Sequence, residues 1–248
     1  MSATYSFGAL RLNYESVGSG VPVMILHGLA GDLHAMNSIF EPIFAGKNYQ
    51  RIYVDLPGMG DSNAPLDFAS SDRILSALAA FISDIAAMNN EKVLLIGYSY
   101  GGYLVHALAD KLPEKLSGLM MLAPMLIPEH AARTLPEKVA WRQSAEKSAA
   151  AQYLSAGIKT ANTEFLEKLA KHYALSAQTN TISCELPALI LLGRQDTVVG
   201  FWNQQMLLTA YPRATWVLLD DAGHNLQMEV PEILSALTEN WLKRCESE

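Results

Sequence analysis

Short apolar segments that stop at turn-forming residues recur along the chain, and they restrict what it can fold into. One lies at residues 21–26, and others lie at 51–54, 116–122, 187–193 and 214–219, with a further one ending at Gly97. Strands that are buried on both faces of a parallel sheet have this nearly continuous apolar character. Stretches with apolar residues at helical spacing separate the segments, as parallel strands require. The pattern therefore predicts an α/β fold built on a mostly parallel sheet.

Two further strands and a set of helices complete the predicted fold. Residues 5–17 alternate polar and apolar positions around Gly8, which is typical of an antiparallel pair at a sheet edge. This pair brings the expected sheet to eight strands, flanked by helices. The helices are predicted at residues 32–44, 70–88, 102–112, 199–208 and 231–244.

Residues 125–184 differ in composition from the rest of the chain. The stretch has no strand-like run, is rich in Ala, Glu, Lys and Gln, and is bounded and divided by prolines. It predicts about three short helices inserted after the sixth strand. Such an insert would lie above the carboxyl edge of the sheet, where open α/β folds bind ligands. We therefore expect a core formed by residues 1–124 and 185–248 and a helical cap, or lid, formed by residues 125–184.

The composition limits the partners and the compartment. The chain has 248 residues, of which 50% are hydrophobic, and a net charge of -7. It can therefore bury a full core, and it has no basic run that would bind nucleic acid or an anionic membrane. Residues 1–10 lack an export-signal pattern, and the longest apolar run is broken by Pro124. With two cysteines, Cys184 and Cys245, no disulfide framework is expected, and we expect a cytoplasmic protein without nucleic-acid or membrane partners.

A serine flanked by glycines lies at the end of the apolar segment that stops at Gly97. Residues 97–101 read Gly-Tyr-Ser-Tyr-Gly, the G-x-S-x-G pattern, with Ser99 at its centre. A strand-to-helix turn of this kind lifts the serine off the sheet and directs the first helical N–H groups at it. A serine hydroxyl is a poor nucleophile at neutral pH unless a base and oxyanion donors lie beside it. Alone, the pattern also fits a serine that only caps a helix.

The rest of the chain supplies a candidate base and a candidate acid for Ser99. His224 lies in a loop after the last predicted strand, whereas the other histidines lie in a glycine-rich loop before the serine, in predicted helices or in the insert. A histidine base needs a carboxylate to fix its tautomer. Asp196 follows the seventh strand by three residues, although it could instead only cap the next helix. Asp220 and Asp221 are so close to His224 in sequence that only a taut turn would bring them to its ring.

Five segments together resemble the α/β-hydrolase superfamily over nearly the whole chain. They are HGLAG at 27–31, DLPGMGDS at 55–62, GYSYGG at 97–102, Asp196, and DAGHN at 221–225. Five matches in the right order are far more specific than G-x-S-x-G alone. The resemblance implies the α/β-hydrolase fold with a helical cap after the sixth strand, and a catalytic triad of Ser99, Asp196 and His224.

The same resemblance implies roles for the residues around the nucleophile. The backbone N–H groups of Leu29 and Tyr100 would form an oxyanion hole, and His27 would shape the loop rather than act as a second base. Gly97 and Gly101 would flank the elbow because side chains there would collide with the packed helix and strand. The nucleophile itself would have a strained backbone conformation.

Other residues distinguish the chain from neighbouring branches of the superfamily. Haloalkane dehalogenases and epoxide hydrolases have an aspartate where this chain has Ser99. Peptidases of the proline-iminopeptidase type are less similar, because the insert is short and Glu129 is a lone candidate for holding a substrate amine. Asp32 and Asp55 are expected to cap a helix and to anchor a loop, respectively.

These observations predict a serine hydrolase that cleaves a small carboxylic ester, lactone or thioester through an acyl-enzyme on Ser99. A small ester-like molecule is the expected partner, and no metal or organic cofactor is expected, since no zinc-ligand spacing occurs. The same triad also supports C–C bond hydrolysis and cofactor-free perhydrolysis. Some members of the superfamily retain it while acting as small-ligand receptors. These alternatives stay open, as does the oligomeric state.

Ala30, Met125 and Leu126 are candidate substrate-pocket residues, together with faces of the cap over residues 128–184. Most of them are apolar, which favours a short to medium apolar acyl or alkyl group. Core packing explains each of these residues equally well. The fold and the triad set the chemistry, whereas the pocket sets the substrate.

Overall fold

A single eight-stranded sheet lies at the centre of the fold. A computed structural model describes residues 2–137, 160–176 and 183–247. Its strands follow the order β1-β2-β4-β3-β5-β6-β7-β8. They are β1 (Ser2–Phe7), β2 (Leu10–Val17), β3 (Val21–Leu26), β4 (Tyr49–Val54), β5 (Val93–Tyr98), β6 (Leu116–Leu122), β7 (Ala188–Gly193) and β8 (Ala214–Leu219).

Most strands of the sheet run parallel. Strands β4, β3, β5, β6, β7 and β8 pair in parallel, whereas β1 with β2 and β2 with β4 pair antiparallel. Every residue of β5 and β7 is buried, while the edge strand β1 alternates between exposed and half-buried positions. The alternating segment thus forms one edge of the sheet, and the continuous apolar runs form its central strands and the half-buried β8 at the other edge. The predicted eight-stranded, mostly parallel sheet is confirmed.

Helices flank this sheet. In the described part of the chain they are α1 (Leu33–Phe44), α2 (Ser71–Asn89), α3 (Tyr100–Lys111), α4 (Thr163–Lys171), α5 (Met206–Ala210), α6 (Leu226–Glu229) and α7 (Pro231–Glu246). Helix α1 packs against α7, and α2 packs against α3. The Asp32 carboxylate caps α1 by accepting from the Ala35 N–H at 3.0 Å, which confirms its predicted role. None of these helices is both long enough and apolar enough to span a bilayer.

Several helix boundaries differ from the prediction by one or two residues, and two of the differences lie beside the residues at the carboxyl edge of the sheet. Helix α3 begins at Tyr100, two residues earlier than expected. The helix predicted over residues 199–208 is instead a 3-10 helix at Trp202–Gln205 followed by the short α5. Gly200 has a φ of 70°, which an α-helix cannot contain. The chain between β7 and this 3-10 helix therefore forms a loop, and Asp196 lies in it.

Part of the predicted cap lies in the described residues. It contains a 3-10 helix at His130–Ala132 and the nine-residue α4, while residues 138–159 and 177–182 of the predicted cap fall outside the described residues. The Phe165 ring of α4 is buried against Gly58, where an added Cβ would lie 2.4 Å from it. The Asn162 N–H donates to the Gly58 carbonyl at 2.8 Å. Helix α4 is thereby docked on the loop that follows β4.

The Asp55 carboxylate holds that loop and the start of α1 together. Its Oδ1 accepts from the Leu33 N–H at 2.8 Å. Its Oδ2 accepts from the Asp61 N–H at 2.9 Å and from Asn13 Nδ2 at 2.8 Å. Asp55 is 2% exposed, so these bonds are shielded from competing water. The predicted loop anchor is confirmed.

Asp55→Asn is expected to lower the free energy of unfolding by at least ~2 kcal/mol, because its amide N–H₂ would face a donor in a buried site. Urea unfolding measures the loss. Asp84→Asn is the matched control, since this exposed carboxylate accepts from the Tyr5 hydroxyl at 2.7 Å. Its expected loss is below about 1 kcal/mol. Equal losses for the two variants would contradict the anchoring role.

Candidate active site

Polar side chains that follow three parallel strands meet at the carboxyl edge of the sheet. Ser99 directly follows β5, while Asp196 lies in the loop after β7 and His224 in the loop after β8. The carboxyl ends of parallel strands lie at the same edge. Residues that are 125 positions apart in sequence, such as Ser99 and His224, are therefore in contact.

The backbone of Ser99 has an unusual conformation that its neighbours hold in place. Its φ is 52° and its ψ is -113°, a region that costs a residue other than glycine about 1–3 kcal/mol. The Ser99 N–H donates to the Leu122 carbonyl at 2.9 Å, and the Ser99 carbonyl accepts from the N–H groups of Tyr103 and Met125 at 3.0 Å. These bonds fix the turn between β5 and α3, and the expected strain at the nucleophile position is confirmed.

Gly97 and Gly101 allow the turn to pack closely. A Cβ on Gly97 would lie 2.4 Å from the Gly101 carbonyl oxygen. A Cβ on Gly101 would lie 2.5 Å and 2.6 Å from the carbonyl oxygens of Leu26 and His27. Real Cβ atoms do not approach backbone this closely, because the overlap is repulsive. The predicted collisions at both elbow glycines are therefore present.

Ser99, His224 and Asp196 form one hydrogen-bonded series. Ser99 Oγ lies 3.0 Å from His224 Nε2, and His224 Nδ1 lies 2.8 Å from Asp196 Oδ2. An ionised carboxylate can only accept, so Nδ1 carries the proton and Nε2 is left to accept from the serine hydroxyl. Asp196 is 1% exposed and Ser99 is 9% exposed. The geometry is that of a serine with its base and the carboxylate that orients the base.

Asp196 also holds the backbone of its own loop. Its second oxygen, Oδ1, accepts from the N–H groups of Val198 and Val199 at 2.8 Å and 2.9 Å. One carboxylate thus contacts the histidine and holds the turn after it, whereas the helix that Asp196 could instead have capped begins only at Trp202. Asp220 instead pairs with Arg194 at 2.7 Å on the surface, away from the imidazole.

The N–H groups of Leu29 and Tyr100 lie on the two backbone segments beside Ser99. Tyr100 is the first residue of α3, and such N–H groups have no partner within their helix. Leu29 follows Gly28, whose added Cβ would lie 3.2 Å from the Ser99 Cβ. Across residues 2–137, 160–176 and 183–247, neither N–H donates to another group. Neither N–H is therefore committed to an acceptor in this part of the chain.

His27 is held inside the fold and does not approach Ser99 as a base. Its Nε2 accepts from the Leu56 N–H at 2.9 Å, so its Nδ1 carries the proton and donates to the Gly28 carbonyl at 2.7 Å. Complete burial lowers the pKa of this imidazole, against the smaller opposing effect of Asp55. His27 thus ties the loop at 27–31 to the loop after β4, and the expected loop-shaping role is confirmed.

A cavity of about 320 Å³ opens at Ser99 and His224. Met125 lines it, as expected, together with Leu29, Tyr98, Arg133, Tyr173, Val198 and Val199. Ala30 and Leu126, the other two candidate pocket residues, are not part of this lining. Ala30 has a φ of 57° in the turn after Leu29, and Leu126 is buried in the hydrophobic core.

The Tyr100 side chain connects the elbow to the cap. Its ring stacks on Tyr173 with centroids 4.8 Å apart and an interplanar angle of 18°. Ser71 Oγ donates to the Tyr173 carbonyl at 2.6 Å and lies 2.9 Å from the Tyr100 hydroxyl. Since a serine has one proton to donate, the Tyr100 hydroxyl must donate to Ser71. Burial raises the pKa of Tyr100, so the phenol keeps this proton.

Sequence reasoning missed Val198 and Val199 as cavity residues. Arg133 and Tyr173 lie within the range 128–184 that was expected to face the pocket, although neither residue was named individually. The two valines follow Asp196 directly, and the G-R-Q-D-T-V-V run could have indicated them, because Asp196 was predicted to face the site. Within the described residues, no group of three or more His, Cys, Asp or Glu side chains could hold a metal ion.

Comparison with known proteins agrees with this geometry. A family model described as the alpha/beta hydrolase family matches residues 23–237. The crystal structure of an alpha/beta superfamily hydrolase from Oenococcus oeni PSU-1 superposes with a TM-score of 0.82 and 29% sequence identity, over 95% of this chain and 96% of that one.

Two curated relatives match over most of the chain. The pimeloyl-[acyl-carrier protein] methyl ester esterase of Aeromonas salmonicida is 26% identical, with 87% of this chain and 92% of the relative covered. The dihydrolipoyllysine-residue acetyltransferase component of the acetoin cleaving system of Cupriavidus necator is 24% identical, with 97% of this chain and 70% of the relative covered. The sequence resemblance to α/β-hydrolases is confirmed by these matches.

The stability that His27 contributes is expected to decrease as the pH falls from about 7.5 to about 5.5. Its pKa is lowered by burial, so the folded imidazole stays neutral where the unfolded one, with a pKa of about 6.5, binds a proton. The contribution is complete above the unfolded pKa and is lost below it.

Urea unfolding of the wild type and of His27→Gln at several pH values measures this effect. The wild type should be more stable at neutral pH, and the difference between the two proteins should shrink towards acid pH. Other titrating groups are common to both proteins and cancel in the difference. A difference that stays constant with pH would contradict the prediction.

Proposed function

We propose that this chain, which belongs to the alpha/beta hydrolase family, is a serine hydrolase that cleaves a small carboxylic ester, lactone or thioester. The observation that carries the proposal is the hydrogen-bonded series from Ser99 through His224 to Asp196. In this proposal the three residues are nucleophile, base and orienting acid. The enzyme then needs no group beyond its own side chains and water for the reaction.

The first half of the reaction forms an acyl-enzyme. Ser99 Oγ attacks the substrate carbonyl carbon while His224 Nε2 removes its proton, and Asp196 stabilises the imidazolium that results. His224 then donates this proton to the leaving oxygen or sulfur. In the second half, a water molecule gives a proton to the same nitrogen and attacks the acyl group. The free acid leaves, and the proton returns to Ser99.

The backbone N–H groups of Leu29 and Tyr100 are the proposed oxyanion hole. The carbonyl oxygen becomes negative when Ser99 attacks, and fixed donors stabilise that charge more than they stabilise the neutral substrate. The position of Tyr100 as first residue of α3 adds the positive end of the helix dipole. Both donors are available within the described chain, which supports this role.

The relatives support an acyl substrate. The Aeromonas salmonicida relative is named for cleaving a methyl ester, and the Cupriavidus necator relative for transferring an acetyl group. The cavity of about 320 Å³ and its largely apolar side chains favour a short to medium acyl group. C–C bond hydrolysis and perhydrolysis would use the same triad, whereas a ligand receptor would only retain it. The turnover test below separates a hydrolase from a receptor.

We also propose that residues 125–184 form a cap over the site. The His172 carbonyl accepts from the Ser71 N–H at 3.1 Å, and the Asp72 carboxylate accepts from the Ser176 N–H at 3.1 Å. The Leu175 N–H donates to the Tyr103 hydroxyl at 2.9 Å. Residues 172–176 thus lie against the first turns of α2 and α3, next to the cavity.

Ser99→Ala and His224→Ala are each expected to reduce the hydrolysis of p-nitrophenyl butyrate by about a thousandfold or more, because each removes one member of a cooperating set. Steady-state release of p-nitrophenol measures the rate. Ser38→Ala and His34→Ala are matched controls on the exposed side of α1, and they should retain wild-type rates. Undiminished turnover in either site variant would contradict the proposal. Wild-type turnover no faster than that of Ser99→Ala would favour a ligand receptor.

Asp196→Asn tests the orienting acid separately from the loop that it holds. The amide oxygen can still accept from Val198 and Val199, whereas an amide N–H₂ in place of Oδ2 no longer accepts from His224 Nδ1. We expect kcat to fall by about a thousandfold or more, with a loss of stability below about 1 kcal/mol. Ester kinetics and urea unfolding on the same samples measure both. A large loss of stability with a small loss of kcat would assign Asp196 to the loop alone.

A further inference from the structure

We propose that Arg133 binds a carboxylate on the substrate, so that the preferred esters of this enzyme are anionic. The inference rests on the proposed hydrolase function and adds its substrate class. Arg133 lines the same cavity as Ser99 and His224. The cavity therefore contains a permanent positive charge beside the proposed nucleophile, because a guanidinium stays protonated at every physiological pH.

The guanidinium is fixed by three backbone carbonyls. Its Nε donates to the Ile127 carbonyl at 2.8 Å and its Nη2 to the Pro128 carbonyl at 3.0 Å, both at the base of the cap. Its Nη1 donates to the Val198 carbonyl at 2.9 Å, in the loop that follows Asp196. The side chain is thus immobilised between two segments that border the cavity, and it loses little conformational entropy when a ligand binds.

No carboxylate neutralises this charge within the described chain. All three acceptors are neutral carbonyls. Asp196, the acid nearest in the site, is committed to His224 and to its own loop. Glu129 lines the neighbouring cavity beneath α4, which also contains Lys171, and it forms no ion pair with Arg133 in the described residues. The cavity at Ser99 therefore has an uncompensated cation in a protein whose net charge is -7.

The remaining donors of Arg133 suit a carboxylate. A guanidinium has five N–H groups, and three of them are used by the carbonyls. One N–H remains on each terminal nitrogen. Charged hydrogen bonds of this type are about twice as strong as neutral ones, and they select carboxylates by geometry as well as by charge. A substrate with a carboxylate on its acyl or alcohol part would accept from both remaining N–H groups.

A purely structural role for Arg133 makes a different prediction. If the side chain only clamps the base of the cap to the loop after β7, its replacement would affect anionic and neutral esters alike. The ratio of kcat/KM between an anionic ester and its neutral counterpart is therefore the decisive quantity. The intrinsic reactivity of each ester cancels when this ratio is compared between the wild type and a variant.

The experiment uses two matched pairs of esters on the purified full chain. The first pair places the charge on the acyl side, with mono-p-nitrophenyl glutarate as the anion and p-nitrophenyl valerate as its neutral counterpart. The second pair places it on the alcohol side, with 4-carboxyphenyl butyrate as the anion and 4-carbamoylphenyl butyrate as its neutral counterpart. In Arg133→Gln, we expect the anionic-to-neutral ratio to fall by about tenfold or more for at least one pair, chiefly through KM. Any fall that the neutral esters share measures the loss of the clamp on the loop after β7, and it leaves the ratio unchanged. Arg133→Lys should lie between the wild type and Arg133→Gln, because a lysine keeps the charge but not the fork.

Lys171→Gln is the matched control, since it removes the same charge from the neighbouring cavity, and it should leave the ratio unchanged. An unchanged ratio in Arg133→Gln, or an equal fall in Lys171→Gln, would overturn the assignment. If Arg133→Gln lacks a cooperative thermal transition, the salt dependence of the wild type replaces it. About 0.5 M NaCl should then reduce the anionic-to-neutral ratio of the wild type. A ratio that does not change with salt and is also unchanged in Arg133→Lys would overturn the proposal. Wild-type protein that hydrolyses none of the four esters would instead refute the hydrolase function itself.

Discussion

The close approach of two backbone segments at Gly101 sets the distances on which the site depends. Helix α3 lies so near the end of β3 that a Cβ on Gly101 would overlap the carbonyls of Leu26 and His27. This approach brings the loop at 27–31 beside the first N–H groups of α3. The two proposed oxyanion donors are thereby adjacent through main-chain packing alone, and the strained turn at Ser99 is retained because the surrounding bonds leave no relaxed alternative.

Buried polar groups, rather than apolar contacts, hold the loops around this approach. Asp55 secures three donors, His27 links two loops, and one oxygen of Asp196 secures the turn that follows it. Each of these groups would be costly to leave unpaired, so the loops have few other arrangements of comparable energy. Asp196 holds two groups at once, because one of its oxygens contacts His224 and the other accepts from the backbone of its own loop.

The sequence predicted the sheet, and it named three side chains that the structure brings into contact, because both follow from local pattern and topology. Polar residues directly after buried apolar runs identified Ser99, Asp196 and His224, and parallel strands necessarily bring such residues to one edge. The cavity lining depends instead on how the cap docks, which no periodicity encodes. Arg133 and Tyr173 were therefore covered only by the range 128–184, and Ala30 and Leu126 do not line the cavity at Ser99. The helix predicted over 199–208 failed because spacing does not reveal the positive φ of Gly200.

The backbone N–H and the side chain of Tyr100 are under different constraints. Its N–H is one of the two proposed oxyanion donors, and any residue except proline would supply the same donor. Its side chain faces away from the chemistry and stacks on Tyr173, a cap residue that lines the cavity. Selection can therefore alter the side chain at this position, and with it the shape of the cavity, while the donor is inherited unchanged.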